Sequence, residues 1–205
     1  MKKLLVLGIL LVAALAVADL LAQAYVEDQV EASAESELEG IGGVQSEISS
    51  FPFLGRIAFG GEVSHLELVL TDVVGRGIPV AELRLDIDGL RFDRGTLLES
   101  NRLRITGVGR VAVVAVVTRD ELAEVLGDAA RSVELIEGTT LTVRDGAIGL
   151  PGGFSLPLPS SELIPCDASA TIDDEEVVLR CESDRLPTII VEAVGSVDLR
   201  EQLGG

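Results

Sequence analysis

From Glu62 to Asp72 the chain alternates with a period of two, the signature of a strand with one face in a core and one in water. Leu66, Leu68 and Leu70 point one way, and His65, Glu67, Val69 and Thr71 point the other. The pattern returns from Val80 to Asp88, with Leu83, Leu85 and Ile87 inward and Arg84, Asp86 and Asp88 outward. Leu90 and Phe92 continue beyond Gly89, where a bulge is expected. Immediately before the first strand lies Phe51-Pro-Phe-Leu-Gly-Arg-Ile-Ala-Phe-Gly-Gly, which places three of the five Phe within nine residues. Leu54 to Phe59 is expected to form one helical turn of this apolar knuckle, with a break at Gly60-Gly61.

Composition narrows the partners. The 205 residues allow one domain with a real core and a short segment left over. Hydrophobic residues make up 47% but aromatics only 3%, so Val, Leu, Ile and Ala build that core. The formal charge is -18, and with Lys2 and Lys3 set aside only Arg remains to offset 34 acids. Such a chain lacks the basic face that a nucleic acid requires. Charge alone would not hold it on an anionic membrane either, so any lipid contact has to be apolar.

The N-terminus reads as an export segment. Lys2-Lys3 precede an apolar run from Leu4 to Ala18, and small-residue sites follow at Ala16-Val-Ala18 and Ala22-Gln-Ala24. Fifteen residues fall short of the ~20 that a membrane span needs, but allowing Asp19 extends the run to Ala24. Residues 1–24 are therefore expected as a signal peptide or an uncleaved anchor, and 25–205 as one exported domain. Tyr25 to Glu39 is helix-prone, with a narrow stripe of Val26, Val30, Ala34 and Leu38 ended by Gly40, Gly42 and Gly43.

Further elements follow in order. Val44 to Ile48 predicts a short strand, and Leu103 to Val117 the longest one, central and covered on both sides. Thr118-Arg-Asp-Glu121 fits a capping box opening a helix of about three turns, with Leu122, Val125, Leu126 and Ala129 on one face. Short strands are expected at Val133–Ile136, Thr140–Val143 and Ala147–Leu150, then a loop over Pro151–Pro165, and a last strand at Leu186–Val194. A two-residue turn at Asp173-Asp174 would set Ala170 opposite Val177 and Cys166 opposite Cys181. In an exported chain these two cysteines predict a disulfide worth roughly 3 kcal/mol for a 15-residue loop. Two Cys and the distant His65 are too few ligands for zinc. The count is about nine mostly antiparallel strands with two helices, an α+β chain with a long meandering sheet.

No reaction announces itself. His65 stands alone on an outward face, and the chain has no Gly-x-Ser-x-Gly elbow, phosphate loop or His-Glu-x-x-His. Asp86 and Asp88 share one strand face, where solvation explains them better than catalysis or Ca²⁺. Neither an enzyme, a cofactor nor a metal is expected.

The order of features resembles a known family. The export segment runs through Ala18-Asp19 into a helix at Ala24-Tyr25-Val-Glu27, followed by Phe51-Pro-Phe-Leu54, the Glu62–Asp72 strand, Ile78-Pro-Val and Leu83 to Leu90. This is similar to the LmeA family of phospholipid-binding envelope proteins from actinobacteria, itself likened to tubular lipid-binding (TULIP-like) proteins. The resemblance implies a strongly curved sheet wrapped around one or two helices as a half-tube, with an apolar channel for acyl chains. It implies phospholipid as partner, a place in the cell envelope, and a role in lipid or lipoglycan maintenance; the N-terminal segment, if uncleaved, adds a membrane contact. On that reading Leu66, Leu68, Leu70, Leu83, Leu85 and Ile87 line the channel, and Phe51, Phe53, Leu54, Ile57 and Phe59 stand at its mouth. Ordinary core satisfies the same periodicity, and the alternative is an envelope interaction domain with a filled interior.

Overall fold

The computed structural model describes residues 2–37, 40–74, 78–96, 104–160, 163–188 and 190–191, with side chains at 2–13 and 33–37 left aside. The architecture is α+β: a ten-stranded antiparallel sheet with a few helices. Helix α1 (Lys2–Glu37) leads into β1 (Gly43–Ile48), then the knuckle, a helical turn α2 (Phe53–Gly55) continuing as a π-helical turn (Arg56–Gly60). Strands β2 (Glu62–Val73), β3 (Val80–Phe92), β4 (Ile105–Gly107) and β5 (Arg110–Val117) follow. Helix α3 (Arg119–Leu126) precedes β6 (Thr140–Arg144), β7 (Ala147–Gly149), β8 (Ser155–Pro157), β9 (Ser169–Asp173) and β10 (Glu176–Ser183). The strand order is β1-β2-β3-β5-β10-β9-β6-β7-β8, with β4 paired to the end of β3.

Register turns the alternating pattern into a continuous apolar layer. One row of paired residues runs Val44–Leu70–Leu83–Ala115–Leu179–Ala170–Leu141 across seven strands. A second runs Leu68–Leu85–Val113–Cys181 and a third Ile48–Leu66–Ile87–Val111, and all of these side chains are buried. Cross-strand neighbours lie about 5 Å apart, so each apolar side chain is packed by its partners as well as by what covers the face. Leu122 of α3, Val133, Leu135, Ile148, Leu156, Leu163 and Ile164 complete the same core. The opposite face carries Glu67, Glu82, Arg84, Asp86 and Glu182.

Several expectations are corrected. Leu103–Val117 is not one strand, because the chain breaks at Gly109, whose N–H donates to Asp88 O at 2.9 Å. Residue 103 lies outside the described residues. Gly109 passes close to Gly89, which sits at φ 64°, and burial on β3 shifts phase there from Ile87 to Leu90, as a bulge requires. The second face of β5 is not fully covered, since Ala112, Val114 and Val116 stay partly exposed beside charged neighbours. Val133–Ile136 makes no strand; pairing begins only where Gly138 N reaches Ile172 O. The Pro-rich loop contains β8, which pairs on one side only, and Pro157 stands at its end, where a missing N–H is tolerated. Thr188, Ile190 and Val191 are helical instead of extended, with Ile190 N on Pro187 O at 3.1 Å. Residues 192–205 and the stripe position Leu38 lie outside the described residues.

The capping box is present: Thr118 N donates to Glu121 Oε2 at 2.8 Å and Asp120 N to Thr118 Oγ1 at 3.3 Å. Beyond Gly127 a 3-10 turn changes the helical phase, so Ala130 is buried while Val125 stays exposed. The disulfide between Cys166 and Cys181 is formed, with Cα atoms 5.9 Å apart. Its hairpin is offset from expectation. Asp174 and Glu175 both have positive φ and make the turn, so Ala170 faces Leu179, not Val177. Cys166 therefore bonds Cys181 from outside the ladder, which starts at Ser169.

Candidate functional site

The predicted site residues divide into two groups. Leu66, Leu68 and Leu70 pair directly with Ile87, Leu85 and Leu83. Leu83, Leu85 and Ile87 are no more than 1% exposed, so they face packed atoms and not an open channel. In this state an acyl chain reaches those side chains only if the core opens. Phe53 belongs with them at 1%, and Ile57 packs partly buried against the same core. The spacing of four between Phe53 and Ile57 puts both on the inner side of the knuckle. Phe51, Leu54 and Phe59 lie outside, at 69%, 46% and 85% exposure.

The knuckle is held at both ends. Asp19 of α1 is 4% exposed, and its two carboxylate oxygens accept from Phe53 N at 2.8 Å and Leu54 N at 2.7 Å. These are the free backbone donors that open a helical turn, and a carboxylate is the acceptor that best satisfies them. At the other end Gly61 adopts φ 64° and donates to Ile57 O at 3.1 Å. A Cβ there would lie 2.9 Å from Phe92 O, so glycine is required. Arg94 Nη1 also donates to Phe59 O, at 2.5 Å.

Asp19 is the first rung of a polar ladder. Gln23 donates to Ile48 O, Glu27 Oε1 accepts from Ile48 N at 2.6 Å, and Glu31 Oε1 accepts from Ser46 N at 2.7 Å. Residues 19, 23, 27 and 31 share one face of α1 and occupy the open edge of β1, which otherwise would expose unpaired backbone groups. Ala22, Val26 and Val30 pack beside them on the core. Sequence reasoning found Val26 and Val30 of that apolar stripe and missed the polar one. Two signals were available: an acid within an apolar run, and polar residues recurring every fourth position. The helix crosses the 24/25 boundary without a break.

Beyond the ladder, α1 turns Leu15, Val17, Leu20, Leu21 and Tyr25 outward. Among the described residues no helix is long and apolar enough to cross a membrane.

The outer sheet face offers the other cluster of functional groups. His65 Nδ1 lies 2.9 Å from Asp88 Oδ1, and Arg84 bridges Glu67 at 3.6 Å and Glu82 at 2.9 Å. His65, Glu67 and Asp86 bring ligand atoms within 4.8 Å of one another. All are partly exposed on adjacent strands, and an ion-paired wet surface accounts for them. An open depression beside the disulfide is lined by Arg110, Cys166, Asp167, Glu182, Asp184 and Arg185. Both of its cations are engaged, Arg110 by Glu182 and Arg185 by Asp184 at 3.7 Å. The Glu182 carboxylate holds the Arg110 guanidinium above its ordinary range.

Residues 17–203 match the profile of a family described as LmeA-like phospholipid-binding. No curated protein and no solved structure matches the chain.

Proposed function

The chain belongs to the LmeA-like phospholipid-binding family, and on that premise we propose that it is exported to the cell envelope and binds phospholipid through acyl chains. It works without catalysis, as a carrier or holder in envelope lipid or lipoglycan maintenance. The observation that carries this reading is the knuckle, where Phe51, Leu54 and Phe59 stay exposed above buried Phe53. Burying an exposed apolar side chain of that size contributes about 1.5–3 kcal/mol. Three of them bind an acyl chain without any opposite charge, which suits a chain of net charge -18. The Cys166–Cys181 disulfide and the Lys2-Lys3 leader fit an oxidising, exported location.

The test is native mass spectrometry of the full chain released from membranes, with organic extraction of whatever is bound. An added mass that extracts as phospholipid is expected. A bare mass that stays bare after incubation with phospholipid vesicles would overturn the reading.

A second reading has its own observation: with Leu83, Leu85 and Ile87 fully enclosed, the domain is equally a filled scaffold for another envelope component. A specific partner in a cross-linked pull-down, together with the bare mass, would favour it.

A further inference from the structure

We propose that α1 is retained on the mature protein and that, with the knuckle, it forms a foot inserted into the lipid bilayer. This rests on the lipid-binding reading and names the surface from which lipid is taken. Two apolar surfaces meet at one place. Leu15, Val17, Leu20 and Leu21 are exposed on successive sides of α1, and Phe51, Leu54 and Phe59 are exposed on the knuckle. Asp19, within the first set, is hydrogen-bonded to Phe53 N and Leu54 N in the second. The two are therefore locked into one unit.

The occupant follows from the helix itself. α1 continues back from these exposed side chains to Lys2, and its sequence has no charged residue between Lys3 and Asp19, so that stretch has no polar stripe. Such a helix is covered by a bilayer, whereas a partner protein covers one stripe. An acid in that run would be costly in lipid, but here both oxygens of Asp19 are satisfied by backbone N–H groups. The knuckle must then sit at the depth of Asp19, at the boundary between headgroups and acyl chains, which is where Phe51, Leu54 and Phe59 need cover. The acidic chain gains nothing from anionic headgroups, so insertion is apolar. Removal of the leader after Ala24 would delete both Asp19 and Gln23 and release the knuckle.

The chain has no Trp, so a single one reports position. Full-length protein carrying Phe59→Trp is reconstituted with phosphatidylcholine vesicles whose acyl chains are brominated. Ile136→Trp, exposed in the segment that meets β9, is the control. The Phe59→Trp emission is expected to shift to the blue and be quenched several-fold, with the Ile136→Trp emission unchanged. Adding Asp19→Ala should bring Phe59→Trp quenching down to the control level while the protein still floats with vesicles through its helix. Equal emission from the two reporters would overturn the proposal. So would a mature mass that begins at Asp19 or Tyr25, or a lipid-independent dimer in light scattering that shields Phe59→Trp. Phospholipid extracted from a protein whose reporter is not quenched separates the readings: the foot fails and lipid binding stands. A quenched reporter on a chain that carries no extractable lipid leaves the foot and removes the cargo.

Discussion

The β2–β3 face and the knuckle are neighbours in sequence and equally rich in apolar residues, yet they end in opposite environments. On the face, each leucine has a cross-strand partner of the same kind, and the ladder places Leu66, Leu68 and Leu70 against Ile87, Leu85 and Leu83. A helical turn has no such row. Of its five large apolar side chains only Phe53 and Ile57 find the core, and Phe51, Leu54 and Phe59 remain outside. Apolar character is spent on cohesion where a ladder repeats it and is left free for a ligand where the backbone curls away.

The largest effect should come from the face. Leu85→Ala is expected to lose about 2–5 kcal/mol in urea denaturation, the usual cost of a cavity in a packed core. A loss below about 1 kcal/mol would mean that space already exists beside Leu85 and would break the contrast. Next, Cys166→Ser with Cys181→Ser should cost about 3 kcal/mol by the same measurement, since Cys181 belongs to the row of Leu85. Asp19→Ala loosens the knuckle from α1 and should cost about 1–3 kcal/mol, because two backbone donors lose their acceptor. Asp19→Asn, which keeps one acceptor oxygen, should lose less.

Phe59→Ser sharpens the contrast from the other side. Its stability should stay within about 0.5 kcal/mol of the parent, while affinity for a soluble short-chain phosphatidylcholine falls by about tenfold or more in a native mass-spectrometric titration. The smallest effect concerns the rim of the face at Glu176. Burial first, then the nearby Asp174, Glu121, Glu82 and Asp173 carboxylates, push its carboxyl above the ordinary glutamate range. A raised folded-state value favours the protonated group, and that contribution is lost as pH rises through it. Glu176→Gln should therefore be slightly more stable than the parent at neutral pH, by no more than about 0.5 kcal/mol. The gap should close in thermal melts below about pH 4, where the parent is protonated in both states.

Much of this molecule is legible in its residues. The alternation around Leu66–Leu70 and Leu83–Ile87 assigns both strands and their buried face, and Thr118 with Glu121 marks the start of α3. The break at Gly109 was harder, since Val108 and Val111 continue a strand-like run and only the approach of Gly89 interrupts it. In the sequence Asp19 and Gln23 belong to the leader, and Glu27 and Glu31 to the helix-prone stretch after it; only β1 lying against all four makes them one ladder.

What the residues alone determined was which side chains face the same way, because that depends on a local period of two in strands and about 3.6 in helices. Tertiary structure decided the rest. A period of two is blind to a shift of two, so pairing Ala170 with Val177 or with Leu179 satisfies the pattern equally, and the backbone of the turn at Asp174-Glu175 chose the latter. The same blindness covers depth. Leu85 and Phe59 are alike in hydrophobicity, and only the approach of other elements made one a wall of the core and left the other in the open.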